Sequence, residues 1–487
     1  MKKSILILML AVLSAACTSA PVEEVPTEPV VSETTDIVIL YTNDEHGWIE
    51  PVAEKAGAAG MFALWKENEG YVPDSNYLVL SGGDTWTGPA ISTWSDGEAM
   101  VDVMNEMGYD AVALGNHEFD FGVDVLRQRI AQAEFPFLAA NMLDLATEET
   151  ADIAIPYIVQ EVSGVQVGII GLSSVSTPRT TMPAHVKDYL FVPYADALEM
   201  IVPQAKQDGA EMLIVIGHLC GDEMRALAPR AEDLGIAMIG GGHCHETISE
   251  TVSNVALVES GAYMDNYARV DIEWDTETET VASSSIEIVP NKGGQRDEQV
   301  EQVVERWDAE TSQELDHVIG YIESPLGKDS VALQNLVTDA WLEAYPNADI
   351  AFTNRGGFRQ GLLPGEITLK SIIGILPFSN VLVDVEIVGA QVVENILCCD
   401  PVMAGMTSTK GYNLANGEKI DPGASYHVLV TDFMYSGGSG FLFWRQDPNP
   451  YQTAIDWRQP VIDMITALNT SADNPLDNYL DWEPRTR

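Results

Sequence analysis

Six apolar runs punctuate the first half of the chain, and each gives way to a glycine or to polar side chains. They fall at 37–41 (IVILY), 77–82 (YLVLSG), 110–115 (DAVALG), 165–172 (VQVGIIGL), 212–219 (MLIVIGHL) and 236–242 (IAMIGGG). Continuous apolar runs this short, rich in Val and Ile, read as strands covered on both faces. Helical patterns lie between several of them, at 98–107 and 194–208. Strand–helix alternation of this kind predicts a layered α/β fold. In open α/β sheets the ligand sits beyond the carboxyl ends of the strands, so the residues after each run are where chemistry is expected.

Five clusters stand there: Asp44-Glu45-His46 in TNDEHG, Asp84 in SGGDTW, Asn116-His117 in LGNHEFD, His218 in IGHLC, and His243-Cys244-His245 in GGGHCHE. Five of the chain's eight histidines belong to them. Histidines scattered for packing would not gather at strand ends. Carboxylate, imidazole and amide oxygen together suit borderline divalent ions such as Zn, Mn or Fe, and they also accept Mg or Ca. Alternation along an extended segment puts Cys244 opposite His243 and His245, so it reads as packing. HEFDF lacks the second histidine of a zincin helix, and GGDTWTG lacks the Lys-Ser/Thr of a phosphate-binding loop. Trp86 reads as a core residue.

The order D-x-H, G-D, G-N-H-E, G-H, G-H-x-H is similar to that of the calcineurin-like metallophosphoesterases. The longer forms ILYTNDEHG, GNHEFDFG and GGHCH resemble the 5′-nucleotidase branch. The resemblance implies an N-terminal four-layer α/β/β/α sandwich plus a C-terminal α/β substrate-binding domain. It implies two divalent metal ions, Zn, Mn, Mg or another, one held by Asp44, His46 and His245 and the other by Asn116, His218 and His243, with Asp84 between them. A shared carboxylate has a physical reason: dications about 3.5–4 Å apart repel, and an anion between them offsets the repulsion. The implied activity is removal of phosphate from nucleoside 5′-phosphates or related esters, cyclic nucleotides and nucleotide-sugars included, by attack of a metal-bridging hydroxide. His117 would act on the phosphoryl oxygens or the leaving group, and Asp120 would orient it. No role is assigned to Glu118 or Phe119.

For the substrate, FTNRGGFR sets Arg355 and Arg359 around a Gly-Gly turn, a candidate anion clamp. By resemblance both arginines face the substrate, and Phe433 in DFMYSGGSGF stacks on a base. Ser439 stands where the family commonly has an aspartate that holds ribose hydroxyls, which weakens the case for a nucleotide. Tyr412 and Tyr435 are the candidates for a second stacking ring. The alternatives are a phosphatase for a non-nucleotide small anion and a non-catalytic, ligand-binding surface lipoprotein.

A length of 487 residues exceeds one ordinary core, and the formal net charge of −49 excludes nucleic acid polymers as partners. An anionic small-molecule substrate would need local positive charge. Residues 1–17 read as an export signal: Lys2 and Lys3, an apolar stretch, then Leu13-Ser14-Ala15-Ala16-Cys17, which resembles a bacterial lipobox with Cys17 as the lipidated residue. An ordinary secretory cleavage is the alternative. The lipid-anchored reading favours the outer membrane, facing the periplasm or the surface. Residues 18–35 read as a disordered tether, 36–296 as the catalytic domain, 297–325 as a connecting helix and 326–487 as the substrate-binding domain. A Cys220–Cys244 bridge is open, whereas adjacent Cys398 and Cys399 read as buried apolar side chains.

Overall fold

The computed structural model describes residues 34–52, 55–72 and 75–486. Residues 1–17, Cys17 included, and nearly all of the tether lie outside the described residues. The first lobe is built on two six-stranded sheets. In one, Thr34–Thr42 lies parallel to Tyr77–Ser81 and antiparallel to Asn266–Asp275, and Ala111–Ala113 and Phe137–Leu138 extend the parallel side. In the other, Val165–Leu172, Met212–Gly217, Ile236–Gly240 and Val255–Ser260 are parallel neighbours.

Side-chain alternation explains why the parallel strands are apolar throughout. Ile37, Ile39 and Tyr41 face the core between the sheets, where they meet Ile169, Ile214 and Met238. Leu40 and Val79 face outward, onto Met61 and Met104 of the flanking helices. Ile170 and Leu213 of the second sheet face outward onto Leu198 and Met224. Both faces of the parallel strands are therefore covered, and the architecture is the expected α/β/β/α sandwich. A fully buried Ile or Leu in such a layer contributes about 1.5–3 kcal/mol.

A five-stranded sheet organises the second lobe, with Ser425–Thr431 between Ile350–Thr353 and Val381–Val388. Helices Val331–Ala344 and Gln459–Leu468 cover one face through Leu333, Trp341 and Ile465. Helix Gly389–Cys399 covers the other through Val392 and Ile396. The helix Glu298–Leu315 starts at Asp297, whose carboxylate accepts from the Gln299 and Val300 amides. Val300 and Val304 pack into the first lobe's core, so this helix is bound to that lobe along its apolar stripe. Lys370 of the second lobe reaches back to Glu50 at 3.1 Å and to Asp308 at 2.5 Å.

Two disulfides form, Cys220–Cys244 and Cys398–Cys399. The second corrects the reading of that pair as buried side chains. The buried face of its helix runs through Val392, Asn395 and Ile396, which leaves Cys398 exposed and Cys399 half-buried at the last turn.

Candidate functional site

The predicted ligands converge at the strand ends of the first lobe. Donor atoms of Asp44, His46 and His245 lie within 4.8 Å of one another, as do those of Asp84, His218 and His243. His46 Nε2 is 3.2 Å from His245 Nε2, and His245 Nε2 is 3.3 Å from Asp44 Oδ1. His218 Nε2 is 2.8 Å from Asp84 Oδ2. The backbone bends sharply to achieve this. Asp44, His46, Asp84, His243 and His245 all have positive φ, between 47° and 77°. Non-glycine residues take that conformation at a cost, and it persists where surrounding structure enforces it. Gly115 supplies room, because a Cβ there would stand 2.1 Å from Asp84 Oδ1.

The donor set fits a pair of divalent cations. Asn116 ties its Nδ2 to Thr180 O at 3.3 Å and leaves a buried Oδ1 with no protein partner. An orphaned buried acceptor among carboxylates and imidazoles matches a cation ligand. The outward ring nitrogens are fixed: His46 Nδ1 lies 3.0 Å from Thr87 O and His218 Nδ1 3.0 Å from Gly82 O. These contacts aim each Nε2 inward. Burial, reinforced by Arg359 and His117, holds the His46 imidazole well below its usual range. Burial and His218 hold His243 down to about 4. Both rings are then neutral near pH 7, as metal ligation requires, whereas Asp84 outweighs burial and raises His218 to about 10, a proton that a bound cation would displace. Two divalent ions are the cofactor this arrangement accommodates.

His117 stands beside Asp84, Nε2 to Oδ2 at 3.9 Å, and its Nδ1 meets Asp120 Oδ2 at 2.6 Å. Burial would lower its pKa, but Asp120 and Asp84 outweigh burial and raise it. Glu118 corrects the expectation that it has no role. It accepts from the amides of Asp84 (3.0 Å), Thr85 (2.7 Å) and Gly115 (2.7 Å), and from Thr85 Oγ1 (2.9 Å). It thus clamps the Asp84 loop to the Asn116 loop. Burial, with Asp84 nearby, pushes its carboxyl up to about 7. The Cys220–Cys244 bridge likewise joins the loop carrying His218 to the loop carrying His243 and His245.

A cavity of about 530 Å³ opens on this centre. The first lobe contributes Asp84, Asn116, His117, Asp120, His243 and His245, and the second lobe contributes Arg359, Phe433 and Ser439. Arg359 Nη2 is 2.9 Å from His46 Nε2. Arg355 is not among the lining residues. Its guanidinium turns to Asp400 at 3.1 Å, Gln334 at 3.1 Å and Thr486 at 2.8 Å. The turn Arg355–Gly357 sends the two arginines in different directions.

Tyr412 and Tyr435 do not line the cavity either: Tyr412 packs into an apolar cluster, and Tyr435 Oη donates to Asp447 O at 3.1 Å. The ring that sequence reasoning missed is Phe378, which lies 5.6 Å from the His117 ring at an interplanar angle of 21°. Its turn is held from afar, since Trp457 Nε1 donates to Phe378 O at 2.7 Å and Arg458 Nη2 donates to the same carbonyl at 2.6 Å. Trp86 is fully buried and donates to His117 O at 3.0 Å.

The chain is similar to known proteins in sequence and in fold. The sequence model of the 5′-nucleotidase C-terminal domain matches residues 318–398. The chain is 26% identical over 552 residues to the 5′-nucleotidase of Vibrio cholerae, covering 98% of this chain and 96% of that protein. It is 26% identical over 489 residues to the trifunctional nucleotide phosphoesterase protein YfkN of Bacillus subtilis, spanning 84% of this chain and 32% of that longer protein. In fold, it matches the crystal structure of a 5′-nucleotidase precursor from Thermus thermophilus with a TM-score of 0.79 at 22% identity, over 93% of this chain and 99% of that one. The chain thus has the fold of that 5′-nucleotidase structure, with a donor set at its strand ends that accommodates two divalent ions. In sequence the chain is similar to bacterial 5′-nucleotidases, both over its length and in the C-terminal domain.

Proposed function

We propose that this protein removes phosphate from nucleoside 5′-phosphates or closely related esters, outside the cytoplasm. The observation that carries the reading is the His117–Asp120 pair, set beside Asp84 in a cavity that Arg359, Phe378 and Phe433 also line. In this assignment Asp44, His46 and His245 hold one ion, Asn116, His218 and His243 the other, and Asp84 is shared. When bound, the ions supply an activated water and neutralise phosphoryl charge. The remaining work falls to side chains. Arg359 draws the phosphoryl group into an otherwise acidic protein. His117, with Nδ1 engaged by Asp120, presents Nε2 to the leaving oxygen. As the P–O ester bond breaks and a P–O bond to water forms, Nε2–H gives its proton to the departing alkoxide.

Phe433 and Phe378 offer ring faces to a base, and stacking tolerates any base. Residues 36–296 would then be the catalytic unit and 326–487 the substrate-binding unit. The apolar stretch before Cys17 supports export, with lipid anchoring at that cysteine.

A second reading is a phosphatase for a non-nucleotide ester. Ser439, in place of a ribose-binding carboxylate, and the diversion of Arg355 to Asp400 favour it. Phosphate release from AMP, a 2′,3′-cyclic nucleotide, UDP-glucose and an aryl phosphate, with and without chelator, separates the two. Chelator-sensitive turnover of AMP well above the aryl ester supports nucleotide recognition. Turnover of the aryl ester alone would transfer the assignment to the second reading.

A further inference from the structure

The chain carries 25 basic residues against 74 acidic ones. Four of the basic residues, Lys55, Lys328, Arg359 and Lys370, line a second cavity of about 620 Å³, beside two carboxylates among the described residues, Glu50 and Glu366. One wall is aromatic. The Trp48 and Tyr263 rings lie 5.4 Å apart, with Lys55 Nζ 5.0 Å and 5.6 Å from their centroids and Lys328 Nζ 5.7 Å from that of Tyr263. Lys55 is paired with Asp265 at 2.6 Å, and Lys370 with Glu50 and Asp308. Lys328 and Arg359 differ: among the described residues neither has a carboxylate within ion-pair distance, and both are half-buried. An ammonium and a guanidinium without counter-ions, lining one concave site with low-dielectric walls, focus positive potential in it; the Arg359 guanidinium also meets His46, Nη2 to Nε2 at 2.9 Å.

The wall between this cavity and the metal centre is thin. The Tyr263 ring lies 5.1 Å from the His245 ring and 5.6 Å from that of His46, and Arg359 lines both cavities. We propose that the second cavity is a phosphate-binding subsite, seated on Lys328 with Arg359 shared between it and the metal centre, that takes inorganic phosphate or the phosphoryl group of a second ester molecule. Guanidinium binds such an anion through paired N–H donors, and the lysine adds a point charge. The subsite goes beyond the proposed hydrolysis and does not require turnover.

Isothermal titration of the metal-loaded protein with inorganic phosphate tests it. Lys328→Met is expected to bind one phosphate fewer per chain than wild type, and Lys328→Arg to keep the full count. The reading rests on that difference of one equivalent. Failure of the metal-centre assignment would remove the other equivalent, so the two are read separately. A non-hydrolysable methylenephosphonate analogue of a nucleoside monophosphate identifies the source. Loss of one equivalent of it too on Lys328→Met assigns the phosphoryl group of an ester, and loss for inorganic phosphate alone assigns the free anion. Superposing phosphate isotherms for wild type and Lys328→Met, or loss of the equivalent in Lys328→Arg, would overturn the proposal.

Discussion

His117 Nδ1 and Asp120 Oδ2 lie 2.6 Å apart across one short turn, and that contact decides which ring nitrogen faces the cavity. Thr181 Oγ1 donates to the other oxygen of Asp120 at 3.0 Å, so the carboxylate is itself held in place. A ring oriented this way keeps Nε2 for the substrate. His117→Ala is expected to retain both metal ions and to lose roughly 10²–10⁴-fold in kcat, the usual worth of a positioned acid. Asp120→Asn should fall between this variant and wild type. Metal content by elemental analysis and kcat on the best ester check both, and wild-type kcat in His117→Ala would refute the role.

Glu118 makes a different prediction, because it touches no substrate. Its two oxygens take three backbone amides and one hydroxyl, all buried. Glu118→Ala leaves those donors unsatisfied, at about 1–3 kcal/mol for each one that water cannot reach. The Asp84 and Asn116 loops should separate, weakening metal binding together with stability. Glu118→Gln, which keeps an acceptor oxygen, should recover part of both. Chemical denaturation and metal titration measure the two effects. A Glu118→Ala protein as stable as wild type would remove the clamp from the account.

Cys220 and Cys244 tether the loops of His218 and His243 across 24 residues of chain. Replacing both with serine should lower stability by about 3 kcal/mol, by the loop-closure argument. Metal affinity should drop as well, while kcat at saturating metal stays near wild type. A metal titration of the double variant reads this directly. Unchanged affinity would mean that the loops are held by other contacts.

Much of this centre was legible in the chain, for a local reason. Asp44, Asp84, Asn116, His218 and His243 each follow a short apolar run within a few residues, so the strand pattern fixes their address. What was not legible depends on contacts between distant segments. Phe378 sits in an unremarked turn that is aimed by Trp457 and Arg458, about eighty residues later. Arg355 and Arg359 are four residues apart and read as a pair, yet the short turn at Arg355–Gly357 sends one to Asp400 and the other to His46. Cys398 and Cys399 misled because a cysteine's apolar character says nothing about helix phase.

Asp432 supplies a pH dependence away from the metal ligands. Burial pushes its carboxyl up to about 6, while the amides of Val381 and Phe433 donate to it. An unfolded Asp titrates near about 3.9. The folded protein therefore holds this proton more tightly, and stability is lost as pH rises from about 4 to about 6. Asp432→Asn has no proton to lose, so the stability of wild type relative to the variant should decline across that window. Urea midpoints of both proteins at several pH values test it, and a constant difference would contradict it.

The central claim is that Asp44, His46, Asp84, Asn116, His218, His243 and His245 hold two ions that share Asp84. Elemental analysis of purified protein, equilibrated with excess Mn or Zn and then desalted, tests it most directly, with Asp84→Ala run alongside. The account predicts two ions per wild-type chain and fewer than one in the variant. One ion in wild type, or two in Asp84→Ala, would contradict it.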